Sequence, residues 1–271
     1  MTGHPPVVDA DELHRCATTI ARKYKEAPQC RLIVGVAGRP GSGKTTVARI
    51  IAAEVRAALT HNNPNCEDVA VVVMPMDGYH LYRSVLHALP NREEAVRRRG
   101  AEWTFDPRKL CRDLQAIRLP SAASIAAAAE RGDNRNEGPP HTPHGRANAY
   151  YDDVYVPSFD HAVGDPVERD ICIPATANII IVEGNYLLYR GTPAWAEVNR
   201  CFDITIFLAC SADICTRRLC RRHMAAWGIS EAEAMKRAAG SDTTNGNLVD
   251  STQVNADIVL HSVECHEVSK L

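Results

Sequence analysis

No stretch of this 271-residue chain reaches eighteen consecutive apolar residues. A membrane-spanning helix needs about that many, so no membrane partner is expected. Charge of one sign is equally scarce, with a formal net charge of −2. A nucleic-acid-binding domain usually carries a basic field, and nucleic acid is therefore not an expected partner. The ten cysteines include no Cys-x-x-Cys pair; they read as reduced, mostly packed thiols of an intracellular protein. Met1-Thr2-Gly3-His4-Pro5-Pro6 has neither the basic nor the apolar region of a secretory signal. No internal repeat is present.

What remains is an ordinary globular composition, 45% hydrophobic and 24% charged, on a length that suits one large α/β domain spanning residues 1–271. Its organising stretch is Gly38-Arg39-Pro40-Gly41-Ser42-Gly43-Lys44-Thr45. The spacing is G-x-x-x-x-G-K-T, the phosphate-binding loop. An apolar run, Leu32 to Val36, precedes it, and Val47, Ile50, Ile51 and Val55 give the segment after it a helical apolar face. Glycines let the backbone N–H groups turn inward onto phosphate oxygens, and the helix start adds its positive end. Gly38 to Gly43, with Lys44, Thr45 and Thr46, form the expected nucleotide-binding set. Lys44 should reach the β- and γ-phosphates, and Thr45 should ligate Mg²⁺.

Taken in order, residues 9–27 read as a helix capped by Asp9 or Asp11 and ended by Pro28. Val69 to Met74, Asn178 to Val182 and Phe202 to Leu208 are β-branched or aromatic-rich runs typical of buried parallel strands. Asp257 to Leu260 reads as a last short strand. Asp106-Pro107 spells a helix start, acid as cap and proline as first residue. Ser230 with Glu233 spells a capping box. Residues 81–173 form an excursion between the second and third core strands, and 120–148 within it is loop-like by composition.

Two acids end core strands. Asp77 follows the second and Glu183 ends the third, and ligands gather at the carboxyl ends of strands in an open α/β sheet. Each suits either of two jobs, accepting the proton of an attacking hydroxyl or holding Mg²⁺. Spacing alone leaves the division open. Arg217, Arg218, Arg221 and Arg222 share one broad helical face within a segment, 211–240, that reads as a lid over a triphosphate, with Arg218 and Arg222 as charge-stabilising groups. The chain finishes Ser269-Lys270-Leu271, a receptor-read peroxisomal address. The expectation is a peroxisome-type organelle, glycosomes included, reached through its import receptor if the source is eukaryotic, and the cytoplasm otherwise.

Together these segments resemble the P-loop kinases of the phosphoribulokinase, uridine kinase and bacterial pantothenate kinase superfamily. Met76-Asp77-Gly78-Tyr79-His80 is similar to the motif after its second strand. Arg98-Arg99-Gly100-Ala101-Glu102-Trp103-Thr104-Phe105-Asp106 resembles a stretch of the pantothenate-kinase-like members, with Glu102 or Trp103 in place of a proline. Pro157-Ser158-Phe159-Asp160-His161 and Val182-Glu183-Gly184 have counterparts too, and the likeness runs from about Leu32 to Leu260. Gly78 and His80 depart from uridine kinases proper; the nearest look is to nucleoside- or fructose-kinase-like members. The resemblance implies an α/β P-loop fold with a five-stranded parallel core ordered 2-3-1-4-5, and Mg²⁺ and ATP as cofactors. It implies a small-molecule hydroxyl acceptor (sugar, nucleoside or pantothenate-like) and Asp77 as the base. Tyr79, His80, Arg99 and Asp160 would lie near the acceptor, and Asn255 near the adenine. A homodimer is retained as a candidate assembly. The competing class is a regulatory P-loop NTPase or nucleotide-binding protein with no small-molecule acceptor.

Overall fold

β-Branched residues crowd the apolar runs of this sequence, and in the computed structural model those runs pair as strands. Residues 7–27, 30–60, 69–120, 151–160 and 162–263 are described. The strands are β1 (Val7–Val8), β2 (Leu32–Ala37), β3 (Ala70–Pro75), β4 (Val154–Asp160), β5 (Asp165–Ile173), β6 (Ala177–Gly184), β7 (Ile204–Ala209) and β8 (Ile258–Val263). The helices are α1 (Ala10–Glu26), α2 (Lys44–Thr60), α3 (Arg83–Ala88), α4 (Arg92–Arg97), α5 (Pro107–Arg118), α6 (Pro193–Arg200), α7 (Ala212–Trp227), α8 (Glu231–Arg237) and α9 (Thr243–Asp250).

The main sheet runs β3-β6-β2-β7-β8, all parallel, with β1 added antiparallel on the outer edge of β8. Counting the five parallel strands in chain order, this is the expected 2-3-1-4-5. Alternate residues feed two separate cores. Val34, Val36, Ile179, Ile181, Ile204 and Ile206 pack with Ile20, Val47, Ile51 and Val55 of α1 and α2. Ile33, Ala37, Ile180, Val182 and Phe207 pack with Leu110 and Leu114 of α5 and Trp195 of α6. Both faces of the sheet are covered, which is why its strands read as unbroken apolar runs.

Local signals set the helix ends. The Asp9 carboxylate accepts from the Asp11 and Glu12 N–H groups, both at 3.0 Å. Asp106 accepts from the Lys109 N–H at 2.9 Å, with Pro107 as the first helical residue. Both bonds of the Ser230–Glu233 capping box are made, and Gly228 ends α7 in the left-handed region. The excursion contributes α3, α4, α5 and the antiparallel β4–β5 hairpin. Most of the 120–148 stretch, and the terminal Ser269-Lys270-Leu271, lie outside the described residues.

The residue before β2 ties the excursion to the sheet. Arg31 is 2% exposed and lies 4.3 Å over the Tyr151 ring. Its guanidinium donates to the carbonyls of Ile117, Pro174, Ala175 and Ala177 at 2.8–3.1 Å. These carbonyls end α5 and lead into β6, so one side chain satisfies two chain segments far apart in sequence. Burial pushes its pKa down, opposed by Tyr151, Asp153 and Asp152. Arg31→Met keeps the length and orphans the carbonyls. Unpaired buried acceptors are costly, and we expect a loss of about 3 kcal/mol in urea unfolding. A change below about 1 kcal/mol would mean that the carbonyls find other donors.

Candidate active site

The phosphate loop joins β2 to α2 at the carboxyl edge of the sheet. Gly41 and Gly43 have φ of 82° and 97°, where side-chain-bearing residues are strained. Gly41 is also confined, because a Cβ there would stand 2.6 Å from the Cys215 carbonyl oxygen of α7. The loop is therefore roofed by α7 as well as tightly turned. Gly38 and Ser42 are buried, Pro40 is half-buried and Thr46 is exposed. Arg39 is buried and pairs with Asp250 of α9 at 2.5 Å.

Parallel pairing of β2 with β6 carries Lys44 and Thr45 to the end of β6. Lys44 Nζ donates to Asn185 Oδ1 at 2.8 Å and to the Arg39 carbonyl at 3.1 Å. The Thr45 hydroxyl donates to Glu183 Oε1 at 2.8 Å. Burial pushes the Lys44 pKa down; Glu183 and Asp77 pull against it, and Arg222 adds to the fall. Burial also raises the Glu183 pKa, with Asp77 adding and Lys44 and the Thr45 hydrogen bond opposing. The attraction between the buried cation and the buried acid offsets part of the desolvation of each.

Asp77 arrives from the neighbouring strand. Pro75 of β3 is opposite Glu183 of β6, and Asp77 stands two residues further on, in a 3-10 turn over Met76–Tyr79. It is half-buried, and its charge acts on both Lys44 and Glu183. The next residue has to be glycine for lack of space: a Cβ at Gly78 would lie 2.1 Å from the Pro157 carbonyl oxygen of β4. The β4–β5 hairpin therefore rests directly on the turn that presents Asp77.

The other expected residues divide. Arg222 is exposed on α7 and its charge reaches Lys44. Arg218 is occupied by structural bonds, donating to the Ser42 carbonyl at 3.0 Å, Ser262 Oγ at 3.1 Å, the Val263 carbonyl at 3.0 Å and Cys210 Sγ at 3.6 Å. It ties α7 to the phosphate loop and to β8. Tyr79 is 1% exposed in the core, with its hydroxyl on Asp113 at 2.9 Å. His80 bonds the Asp77 carbonyl at 2.8 Å through Nδ1 and lies between the rings of Phe105 and Phe159. Arg99 donates to the Leu81 carbonyl and to Asp165 at 3.1 and 3.0 Å. Asp160 caps the hairpin turn by accepting from the Ala162 and Val163 N–H groups. Asn255 donates to the Leu188 carbonyl at 3.0 Å, one turn before β8. A cavity of about 440 Å³ is lined by Cys210, Ile214, Asp250, Gln253 and Ser262 among others, and Asn255 is not part of that lining.

Sequence reasoning passed over Asn185, the side-chain partner of Lys44. Its signal was its position, two residues past a strand-ending acid at the carboxyl edge. Arg97, Arg98 and Arg99 read in the sequence either as substrate contacts or as solvated charges, and of the three Arg99 is the one bonded to Asp165.

No family model matches the chain. A Schizosaccharomyces pombe protein provisionally named a uridine kinase is 32% identical over 266 residues, covering 97% of this chain and 95% of its own length. A structure of a kinase provisionally assigned to a fructose transport system, from a Silicibacter species, superposes with a TM-score of 0.68 at 24% identity, over 91% of this chain and 98% of that one. YFH7 from Saccharomyces cerevisiae superposes with a TM-score of 0.68 at 19% identity, over 92% and 98% of the two chains. These two likenesses concern the fold.

Gly78→Ala tests how firmly the hairpin and the Asp77 turn are joined. The added methyl meets backbone, which cannot rotate away, so a loss of about 1–3 kcal/mol is expected in chemical denaturation. An unchanged midpoint would show that the hairpin moves aside without cost.

Proposed function

The chain belongs to the P-loop kinases of the phosphoribulokinase, uridine kinase and bacterial pantothenate kinase superfamily, and from that premise we propose that it moves the γ-phosphoryl group of ATP to a hydroxyl of a small metabolite. The observation that carries this reading is the pairing of two acids with different surroundings beside one phosphate loop. Glu183 accepts the Thr45 hydroxyl, and a hydroxyl and a carboxylate side by side are hard oxygen donors that suit Mg²⁺. Asp77 is two residues beyond β3 on the flank formed by the excursion. It has no such tie to the loop and is left to face the acceptor.

In this assignment Thr45 and Glu183 would hold Mg²⁺, which neutralises phosphate charge when bound. Lys44 supplies fixed positive charge, and the exposed Arg222, whose charge reaches Lys44, supplies more from α7. Asn185 and the Arg39 carbonyl hold the Lys44 ammonium in place, so little reorganisation is needed when phosphate arrives. Asp77 aligns the acceptor hydroxyl and takes its proton. A new bond forms from the acceptor oxygen to the γ-phosphorus as the bond to the bridging oxygen of ADP breaks. The cavity lined by Cys210, Asp250 and Gln253 is the place proposed for the adenine.

The two acids are separable by experiment. Asp77→Asn should leave ATP binding intact and lower acceptor-dependent ADP release by a factor of about 10² or more. Glu183→Gln should instead raise the Mg²⁺ concentration needed for half-maximal rate. If Asp77→Asn turns over normally, or if the two variants exchange phenotypes, the assignment is wrong. ADP release that no alcohol raises above the water rate would favour a regulatory NTPase.

A further inference from the structure

Two thiols at the junction of β7 and α7 have no part in phosphoryl transfer. Cys210 follows β7, and Ser211 caps α7 by accepting from the Ile214 N–H at 3.4 Å. Cys210 is therefore the residue before the cap, and Cys215 is the fourth of the helix. Side chains at these two positions meet across the first turn of a helix. Such a staple is ordinarily apolar. Here it is a pair of free thiols whose sulfurs act directly on each other.

Their surroundings differ. Cys210 is half-buried and lines the cavity of about 440 Å³, whereas Cys215 is 1% exposed. The Arg218 guanidinium donates to Cys210 Sγ at 3.6 Å. A hydrogen bond from Cys215, the Arg218 charge, a hydrogen bond with Ser262 and the Arg39 charge hold the Cys210 thiol below its ordinary pKa, against burial. The bond to Cys210 and burial push Cys215 up, with Arg39 and Arg218 opposing. Cys210 is thus the thiolate of the pair and Cys215 the donor. A cation beside a partly exposed sulfur is the setting of a reactive cysteine. Proximity of two sulfurs is not enough for that. Cys111 and Cys201 lie 3.8 Å apart, yet both are buried, and desolvation pushes Cys201 up to about 12.

We propose that Cys210 and Cys215 are a modification site for hydroperoxides, at which oxidation joins the two in a disulfide and weakens nucleotide binding. Weaker nucleotide binding rests on the phosphotransferase reading above; the disulfide stands without it. The Cys210 thiolate attacks one oxygen of the peroxide, the O–O bond breaks, and the sulfur is oxidised to a sulfenic acid as hydroxide leaves. Cys210 then no longer carries the charge that suppressed ionisation of Cys215, and Arg39 and Arg218 favour the Cys215 thiolate. That sulfur attacks the sulfenic sulfur; the S–S bond forms, the S–O bond breaks, and the hydroxyl leaves with the Cys215 proton as water. The effect has a short path to the phosphate loop. The Arg218 nitrogen that bonds Cys210 also donates to the Ser42 carbonyl at 3.0 Å. The Cys215 carbonyl oxygen stands 2.6 Å from where a Gly41 Cβ would be. Drawing the sulfurs together takes an anion from Arg218 and shifts backbone that is packed on the loop.

The test treats the full chain with hydrogen peroxide, blocks the remaining thiols and maps disulfides by mass spectrometry, with MgATP affinity measured by calorimetry before and after. A Cys210–Cys215 disulfide should form ahead of oxidation at Cys30 and Cys172, which are exposed. The Kd for MgATP should rise about tenfold, the effect of losing one hydrogen bond to a charged group, and recover with dithiothreitol. Cys215→Ala should stop at a sulfenic acid on Cys210, trapped by dimedone. Cys210→Ala should bind MgATP equally well before and after peroxide. Failure of the wild type to form the disulfide, or earlier oxidation of Cys30 or Cys172, would overturn the modification site. A disulfide that leaves the MgATP affinity unchanged would overturn its link to the loop. A wild type that binds no MgATP before peroxide refutes the donor reading instead, and the disulfide map alone then decides the site.

Discussion

Three parallel strands stand in register with Val36, Glu183 and Pro75 side by side, and the chemistry of the site depends on that alignment. Each strand hands its next residues to the same edge. From β2 come the phosphate loop, Lys44 and Thr45; from β6 come Glu183 and Asn185; from β3 comes the turn with Asp77. A slip of one residue would turn every side chain of a strand to the opposite face. The register is protected because both faces are buried, with Ile179 and Ile181 on one side and Ile180 and Val182 on the other. Packing energy spread over the sheet thereby fixes distances of 2.8 Å between functional atoms at its end.

The site itself contributes little to stability. Lys44 and Glu183 are buried, and desolvation disfavours the charged form of each. Ser42 and Asn245 are buried with oxygens that have no partner among the described residues. Buried unpaired polar atoms each cost on the order of 1–3 kcal/mol, and the two cores must offset them. Strain of this kind is expected where a ligand completes the bonding. The contrast with Arg31 is instructive. That cation is as deeply buried, yet four carbonyls surround it, so it closes the structure and leaves nothing for a ligand.

Features that depend on neighbours in sequence were legible before the fold was known. The phosphate loop, the Asp106-Pro107 helix start and the Ser230–Glu233 box are local patterns with local physical causes. The parallel runs were legible too, since burial on both faces leaves a continuous apolar signature. Val7–Val8 escaped notice because two residues carry no periodicity. The direction of Tyr79 was not legible. Tyr79 sits two residues from Asp77, but the 3-10 turn sends it inward to Asp113, and only packing decides that direction. Asp160 likewise spends its carboxylate on two backbone N–H groups of its own turn. Arg98 and Arg99 are adjacent and alike in sequence, and the position of Asp165 on β5 is what engages Arg99.

Arg218 has structural partners at a position where the sequence pattern suggested a charge-stabilising group. An arginine on the helix above a phosphate loop suggests a group that closes onto phosphate. Here its fork reaches Ser42 on the loop and Ser262 and Val263 on β8. The first turns of α7 are thereby fastened to the sheet and to the loop they roof. Rotation of α7 as a rigid whole would break all of those bonds at once. Arg222, a turn further along and exposed, is outside that brace. Beyond it the chain passes Gly228 in the left-handed region and Gly240 with non-helical angles. Fixed charge at the loop and adaptable charge above it therefore come from one helix, separated by a single turn.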